Sequence, residues 1–303
     1  MSTSPSGSGP AVSVIVGARR AADTIQDCLD SLRPECAGGR VETLVAAPVG
    51  DPVVRIVARE YPWVRVVEVA GWPNIAELRG AAIAVASGAI IAITDAHCTV
   101  EPGWIAAIER ALDGADVAAG AVRNGSRKTA ANCAAFLYDY GAFLPPIAAR
   151  PTTTLAGNNI AYRRAVLGEL GEYAPFGFWK AFVNQTLAAS GRQLVATPEM
   201  VVSWRRETTL ADVVRLRFHF GRCFGASRLR SSSRVFAATY RLAAPALPLV
   251  VIASAAWRLA AKPGPIGSAL RAAPGFFAIA AAWGVGETIG ALFGRGASCR
   301  EVY

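Results

Sequence analysis

The first 125 residues alternate short apolar runs with segments of helical periodicity. The apolar runs are rich in valine, isoleucine and alanine, and they predict strands at residues 12–16, 41–46, 64–69, 89–94 and 117–122. The segments between them predict helices at residues 24–32, 52–60, 74–86 and 102–112, the last with Pro102 in its first turn. Strands that alternate with helices indicate an α/β fold with a mainly parallel sheet sandwiched by helices.

Ligands of such sheets bind beyond the carboxyl ends of the strands, so the residues that follow each strand are the first candidates for function. The fourth strand runs directly into Asp95, Ala96 and His97. In an extended chain, residues i and i+2 point the same way, so Asp95 and His97 would both reach one divalent cation. The alternative is a loop aspartate that caps the next helix and a buried, hydrogen-bonded histidine.

Residues 77–98, followed by Glu-Pro-Gly-Trp at residues 101–104, resemble the family-2 glycosyltransferases. The shared order is an arginine and a glycine on a helix, a turn of small residues, an apolar strand, an Asp-x-Asp-type motif and a Pro-Gly-Trp sequence. The opening segment 12–19 is similar to the first strand and donor loop of that family. The resemblance covers roughly residues 11–205 and implies a GT-A-like fold with a Rossmann-type sheet.

The resemblance implies transfer of a sugar from a nucleotide-sugar donor. Together with the basic, apolar C-terminal region described below, it predicts inverting transfer to a lipid-linked or glycan acceptor. Asp95 and His97 would hold Mn²⁺ or Mg²⁺, which neutralises the charge on the departing diphosphate. An imidazole ligand favours Mn²⁺. The implied donor-binding residues are Gly17, Ala18, Arg19, Arg79 and Asp95. For Arg79, a surface ion pair with Glu77 or another acid is the alternative.

The implied acceptor-binding residues are Gly157, Asn158, Asn159 and Trp179. Asparagine amides read sugar hydroxyls because they carry both a donor and an acceptor. A simple turn is the alternative for the Gly-Asn-Asn sequence, since these residues also favour turns.

Three features depart from the family pattern. The second strand ends in alanines where the family has nucleotide-binding aspartates, and Glu42 at its start is a poor substitute. The metal motif is Asp-Ala-His instead of Asp-x-Asp. Trp179 and Lys180 stand where the family places an acidic catalytic base at the start of a helix. An inverting transfer needs a base, and the candidates are Glu172, Asp139 and Lys180.

The basic charge is concentrated in the last third of the chain. Residues 203–303 contain 14 basic and 4 acidic side chains, whereas residues 1–202 sum to −1. The same region contains two long apolar runs, 235–257 and 272–294, which predict a two-helix membrane hairpin. Helices that lie in the interface, or a soluble helical subdomain, are the alternatives. Glu287, inside the second run, is expected to pair with a nearby arginine or to lie near the membrane surface.

The division that follows is a flexible N-terminus at 1–10, a transferase-like domain at 11–205 and a membrane-associated helical region at 206–303. Six arginines and no acid between residues 215 and 234 favour a catalytic domain on the cytoplasmic face of the membrane. Hydrophobic residues make up 53% of the chain, which excludes a disordered protein. No aromatic and basic pattern indicates a nucleic-acid partner.

Six cysteines occur, and none forms a Cys-x-x-Cys pair. This pattern predicts reduced thiols and not a disulfide framework. The first ten residues lack the basic and apolar segments of a signal peptide. Two function classes remain: a metal-dependent glycosyltransferase, and a non-catalytic relative that binds a sugar nucleotide or a partner protein. An unrelated dinucleotide-binding enzyme is disfavoured because no Gly-x-Gly-x-x-Gly follows the first strand.

Overall fold

The computed structural model describes residues 9–168, 177–230, 232–260 and 266–303, and the chain divides into two compact units. The first unit comprises Met1–Arg123 and Pro145–Ser203, and the second comprises Asn124–Leu144 and Trp204–Tyr303. The segment Asn124–Leu144 thus groups with the C-terminal helices, a feature that the sequence-based division at residue 205 does not include. Residues 1–8 of the predicted flexible terminus lie outside the described part.

The first unit is a mixed α/β structure in which a mostly parallel sheet is flanked by helices. Its strands are β1 (Val12–Gly17), β2 (Val41–Pro48), β3 (Val64–Val69), β4 (Ile90–Asp95), β5 (Cys98–Val100), β6 (Val117–Asn124), β7 (Arg150–Pro151), β8 (Asn159–Arg163) and β9 (Leu194–Trp204). Its helices are α1 (Ile25–Leu32), α2 (Pro52–Glu60), α3 (Ile75–Val85), α4 (Trp104–Leu112), α6 (Arg164–Gly168) and α7 (Lys180–Ala189). The α5 helix (Ala130–Tyr140) lies in the second unit.

The described strands follow the order β3-β2-β1-β4-β8-β6-β9-β5, with β7 paired to β9. The β3, β2, β1 and β4 strands pair in parallel. The β8 strand is antiparallel to both β4 and β6, so β6 runs in the same direction as β4. Every residue of β1 is buried, which explains its continuous apolar sequence.

The five strands and four helices predicted for the first 125 residues are confirmed, with shifts of a few residues at their ends. The placement of Pro102 inside the fourth helix is wrong. Gly103, with φ of 83°, precedes the first helical residue, Trp104. Glu35 fixes this start because its carboxylate accepts hydrogen bonds from the N–H groups of Gly103 (2.7 Å) and Ile105 (2.9 Å).

Glu42 joins β2 to β1 and to the turn that enters β4. Its Oε1 accepts hydrogen bonds from the hydroxyls of Ser13 (2.5 Å) and Ser87 (2.7 Å) and from the N–H groups of Ser87 (2.6 Å) and Gly88 (3.2 Å). Burial acts to raise the pKa of Glu42, but these hydrogen bonds outweigh it and lower the pKa from its usual value. The Glu42 carboxylate therefore has a structural role at the junction of β1, β2 and the turn that enters β4.

The second unit is helical. Besides α5 it contains α8 (Leu210–Arg230), α9 (Arg234–Ala243), α10 (Leu247–Ala260) and α11 (Ile266–Phe293). Two stretches of the described chain are long and apolar enough to cross a membrane, Arg234–Trp257 and Arg271–Phe293. The first consists of α9 and α10 with the short turn Ala244–Ala246 between them, and only 6% of its most apolar part is buried. The second belongs to α11, and 44% of its most apolar part is buried.

Glycines bring the backbones of α8 and α11 together. A Cβ atom on Gly221 of α8 would lie 2.2 Å from a backbone oxygen of α11, and one on Gly286 would lie 2.1 Å from a backbone oxygen of α8. Gly225 and Gly290, one turn further along each helix, have contacts of the same kind at 2.4 and 2.2 Å. Small residues spaced four apart are a common means of close packing between membrane helices.

Glu287 is the buried acid of this helix pair. Its carboxylate accepts hydrogen bonds from the Tyr240 hydroxyl and from Trp283 Nε1, the latter at 2.9 Å. Arg228 of α8 lies 3.6 Å from the same carboxylate. The expected pairing of Glu287 with an arginine is therefore present in the structure.

The prediction that the cysteines are all reduced is wrong for two of them. Cys223 of α8 and Cys299 form a disulfide with their Cα atoms 5.0 Å apart, whereas Cys28, Cys36, Cys98 and Cys133 are free. The two paired residues are 76 positions apart in sequence. They meet because the C-terminal segment folds back on α8, where Arg222 Nε donates to the carbonyl of Gly294 at 3.0 Å. Spacing along the chain does not show such a long-range contact.

We expect Glu42→Ala to lower the free energy of unfolding by about 2 kcal/mol, because it removes the acceptor of the buried Ser13 hydroxyl and of the Ser87 N–H. Glu42→Gln tests the charge alone. Since the folded-state pKa is lowered, the carboxylate stabilises the fold above its unfolded pKa of about 4.3 and loses that effect as the pH falls through the folded value. Denaturant unfolding should thus show a difference between wild type and Glu42→Gln at pH 7 that shrinks below pH 4. A difference that is independent of pH would contradict this role.

We expect Gly221→Ala and Gly286→Ala each to destabilise the second unit by about 1–3 kcal/mol or more, because the new methyl group must push two backbones apart. Gly80→Ala in α3 is the matched control. Its Cβ would meet its nearest neighbour at an ordinary 3.6 Å, and alanine is the better helix former by roughly 1 kcal/mol. Thermal unfolding in detergent measures all three, and equal behaviour of the three variants would refute the close contact.

Candidate active site

The candidate site lies at the carboxyl ends of β1 and β4. The parallel register of these strands places Gly17 beside Asp95. A Cβ atom on Gly17 would lie 2.7 Å from Ile75 and 3.4 Å from Arg79, so the glycine lets α3 pack against the end of β1. This contact brings the side chain of Arg79 towards Asp95.

The start of α3 is fixed by a capping box. The Asn74 side chain accepts from the N–H groups of Ala76 (2.9 Å) and Glu77 (3.0 Å), and the Glu77 carboxylate accepts from the N–H of Asn74 (2.7 Å). Glu77 is therefore engaged at the cap. Arg79, one turn into the helix, is buried and donates from Nη2 to Asp95 Oδ1 at 2.5 Å. The alternative of a surface ion pair with Glu77 does not describe it.

Lys180 approaches the same carboxylate from another direction. It is the first residue of α7, and its Nζ lies 3.7 Å from Asp95 Oδ1 and donates to the carbonyl of Gly157. Gly177, with φ of 72°, leads the chain into this helix, and the N–H of Phe178 donates to the carbonyl of Ala76 at 2.7 Å. Phe178, just before α7, is thus hydrogen-bonded to the first turn of α3.

Three charged side chains therefore meet with little solvent around them. The side chains of Arg79, Asp95 and Lys180 are 9%, 11% and 11% exposed. Burial acts to raise the pKa of Asp95, but the charges of Lys180, Arg79 and His97 outweigh it and hold that pKa well below its usual range. Burial and the charge of Arg79 lower the pKa of Lys180 to about 7, against the opposing effect of Asp95. A negatively charged ligand beside Lys180 would raise this pKa and keep the amine protonated.

His97 does not extend the strand. β4 ends at Asp95, Ala96 and His97 form a turn, and β5 begins at Cys98. The assumption of an extended chain from 95 to 97 is therefore wrong, because the backbone turns immediately after the aspartate. His97 is half-buried and close enough to Asp95 for its charge to lower the pKa of that carboxyl group.

The residues around Asp95 do not fit a divalent cation as they are placed. Within the described residues, no group of three or more His, Cys, Asp and Glu side chains is arranged to hold a metal. Mg²⁺ and Mn²⁺ need open carboxylate oxygens, yet Asp95 Oδ1 already binds Arg79 and faces Lys180. A divalent cation at Oδ1 would have to displace these positive groups. The metal site on Asp95 and His97 stays a prediction.

The segment expected to bind the acceptor has mixed roles. Asn159 is buried, and its amide donates to the carbonyls of Ala121 and Met200 and accepts from Trp104 Nε1 at 2.8 Å, so its polar atoms are occupied within the first unit. Asn158 donates to Cys98 Sγ at 3.3 Å, while its Oδ1 is buried without a hydrogen-bond partner among the described residues.

The remaining predicted site residues that the structure describes lie after β1, before α7 and on α5. Ala18 is buried and donates from its N–H to the carbonyl of Ala46 at 2.8 Å, and Arg19 beside it is buried as well. Trp179 is the N-cap residue of α7. Asp139 belongs to α5 in the second unit, where it forms a buried ion pair with Arg217. Glu172 lies outside the described residues.

The pairing of Lys180 with Asp95 is the feature that sequence reasoning missed. The sequence identifies Lys180 as a candidate base because of its position at the start of a helix. The signal was the combination of a lysine at an acidic family position with a motif that has one carboxylate instead of two. Lys180 reverses the charge at the family's acidic position, and His97 replaces the second carboxylate of the motif. This combination is what an ion pair between Lys180 and Asp95 would produce.

Comparisons with known proteins agree with this fold. The family model described as glycosyl transferase family 2 matches residues 13–171, which is just over half of the chain. A mannosyltransferase from Pyrobaculum calidifontis, solved with GDP-mannose and Mn²⁺, is 20% identical, with 94% of this chain and 88% of that chain covered and a TM-score of 0.56. This likeness shows the fold.

Two further solved structures have TM-scores of 0.49. One is S. aureus TarS 1–349, with 12% identity over 88% of this chain and 89% of that chain. The other is GalNAc-T7 with UDP, GalNAc and Mn²⁺, with 15% identity over 65% of this chain and 44% of that chain. No curated protein sequence matches the chain. On the strength of the family model, which spans β1 to β8, the chain belongs to glycosyltransferase family 2.

Proposed function

We propose that the protein is an inverting glycosyltransferase that moves a hexosyl group from a nucleoside-diphosphate sugar to a lipid-linked or glycan acceptor at a membrane. The observation that carries the proposal is the buried cluster of Arg79, Asp95 and Lys180 at the carboxyl ends of β1 and β4. Parallel sheets bind ligands at this edge, and a cluster with surplus positive charge suits a diphosphate. The Mn²⁺ and GDP-mannose bound to the Pyrobaculum calidifontis enzyme support a sugar-nucleotide donor.

Two buried polar atoms at the cluster or next to it, Arg79 Nε and Asn158 Oδ1, have no partner within the described part of the chain. Asn158 follows Gly157, whose carbonyl accepts a hydrogen bond from Lys180. Buried polar atoms cost free energy unless they form hydrogen bonds, so these two atoms favour a polar ligand in their neighbourhood. A donor suits a phosphate oxygen, and an acceptor suits a sugar or ribose hydroxyl.

The transfer also needs a base that removes the proton from the acceptor hydroxyl. Lys180 is unsuited to that task because its amine donates to the Gly157 carbonyl and faces Asp95. Asp139 is held by Arg217. Glu172 is the candidate from the sequence that remains, and we assign the base to it within this proposal.

Membrane attachment is supported by the second unit. Long apolar side chains of α9 and α10 are exposed, among them Leu242 (84%), Leu249 (72%) and Trp257 (77%). Exposed apolar area of this extent marks a surface that is covered by another apolar phase. The arginines of α8, next to these helices in sequence, suit the anionic cytoplasmic surface of a membrane. We therefore place the catalytic unit on the cytoplasmic side.

A second candidate function is binding of a sugar nucleotide or a partner without transfer. Two observations favour it: Lys180 replaces the acid at the start of α7, and the Asp95 carboxylate is bound by two cations. The two functions differ in one result. A transferase releases nucleoside diphosphate when both substrates are present, whereas the non-catalytic protein only binds.

We expect Asp95→Asn to lower turnover by roughly 100-fold or more, since it leaves two buried cations without their counter-charge and disturbs the diphosphate position. Asp139→Asn is the matched control, because Asp139 is also a buried aspartate paired with an arginine. Its turnover should stay within about threefold of wild type. The measurement is release of nucleoside diphosphate from a panel of UDP-, GDP- and dTDP-sugars with membrane lipid extract as acceptor. Equal losses in both variants would contradict the assigned site, and no release in wild type together with donor binding would favour the second function.

We expect the protein to stay with lipid vesicles after a high-salt wash, because apolar helices and not only charges hold it. Leu249→Arg should reduce the retained fraction, since it places a charge on the exposed apolar face of α10. Val49→Arg is the control, because Val49 is 60% exposed in the first unit. Vesicle flotation measures both variants, and complete release of the wild type by salt would contradict membrane spanning.

A further inference from the structure

We propose that Lys180, together with Arg79, supplies the positive charge that binds and neutralises the donor diphosphate, so that nucleotide binding does not require a divalent cation. The inference rests on the proposed function and deepens it by assigning the diphosphate site to two side chains of the protein. It departs from the metal site expected at Asp95 and His97.

The first support is the charge of the cluster. Two cations share one carboxylate oxygen: Arg79 Nη2 at 2.5 Å and Lys180 Nζ at 3.7 Å from Asp95 Oδ1. All three side chains are nearly excluded from solvent, so when Lys180 is protonated the buried cluster has one positive charge in excess of its negative charge. An unbalanced buried charge is costly unless a counter-ion joins it. A diphosphate beside Lys180 and Arg79 supplies that counter-ion.

The second support is the position of Lys180. It is the first residue of α7, a ten-residue helix, and the N-terminal end of a helix carries partial positive charge. A cation at this end of a helix is unfavourable unless anions balance it, and the single charge of Asp95 is shared between Lys180 and Arg79. The free N–H groups of a helix N-terminus and a lysine together form a favourable environment for phosphate.

The third support is an unused donor. Arg79 binds Asp95 through Nη2, and its buried Nε has no hydrogen-bond partner among the described residues. Arginine presents its N–H groups as a planar fork that binds phosphate oxygens. One part of the guanidinium is thus held by the carboxylate, and another is left to bind a ligand oxygen.

The role of these cations in transfer follows from the bonds that change. The bond between the sugar C1 and the diphosphate oxygen breaks, and its electron pair stays on the diphosphate. A new bond forms between C1 and the acceptor oxygen, whose proton passes to the base. The extra negative charge on the leaving diphosphate is stabilised by the Lys180 ammonium and the Arg79 guanidinium, which are in place before the reaction starts.

The test is nucleotide binding by the full-length protein in detergent, measured by calorimetry with UDP, GDP, ADP and dTDP. We expect at least one of these to bind with dissociation constants that agree within about threefold in EDTA and in Mn²⁺. Lys180→Met should weaken that binding by about tenfold or more in EDTA. Lys128→Met is the control, since Lys128 is an exposed lysine of the second unit, and its binding should equal that of wild type.

Lys180→Asp provides a second variant with a distinctive result. It removes the ammonium and restores an acid beside Asp95, so we expect nucleotide binding that is lost in EDTA and partly recovered in Mn²⁺. Circular dichroism confirms that each variant is folded before it is compared.

Each other outcome overturns the inference in a recognisable way. Wild-type binding that requires Mn²⁺ would return the site to Asp95 and His97 and leave the proposed transferase function intact. Binding in EDTA that Lys180→Met leaves unchanged would place the diphosphate elsewhere. Absence of binding to every nucleotide, with and without Mn²⁺, would refute the proposed function itself along with the inference.

Discussion

A buried carboxylate needs a counter-charge, and that need organises the candidate site of the first unit. Asp95 ends β4, and Arg79 from α3 and Lys180 from α7 both turn towards it. Two helices are thereby attached to the same point at the edge of the sheet. Because two cations meet one anion, the cluster that fixes these helices also carries the positive charge that an anionic substrate needs.

This arrangement changes how the chemistry of the family would be carried out. In metal-dependent transfer, the positive charge enters with the ion. In the site we propose, this charge is part of the chain, and its position depends on packing. Gly17 lets α3 approach β1, the capping box of Asn74 sets where α3 begins, and Gly177 leads the chain into α7. A site of this kind is prepared by folding, so its cationic side chains are in position before the donor arrives.

The sequence predicted local structure well and side-chain pairing poorly. The apolar runs predicted β1 to β4, and the segments of helical periodicity between them predicted α1 to α4. A buried parallel sheet covered by helices requires this alternation, so the pattern can be seen in the sequence itself. Asp95, Arg79 and Lys180 were all identified as candidates, yet their mutual contact was not, since Lys180 comes from a helix 85 positions further along the chain. The same limit explains the Cys223–Cys299 disulfide and the antiparallel β8 between β4 and β6, which depend on long-range packing. At His97 the error was local, because the turn after β4 replaced the extended backbone that the i, i+2 argument assumed.

The most direct measurement is an experimental structure of the full-length protein with a bound nucleoside diphosphate, prepared in the presence of Mn²⁺. We expect diphosphate oxygens within hydrogen-bonding distance of Lys180 Nζ and the Arg79 guanidinium, with no anomalous manganese signal at Asp95. A manganese ion ligated by Asp95 and His97 and bridged to the diphosphate, with Lys180 withdrawn from the carboxylate, would contradict it.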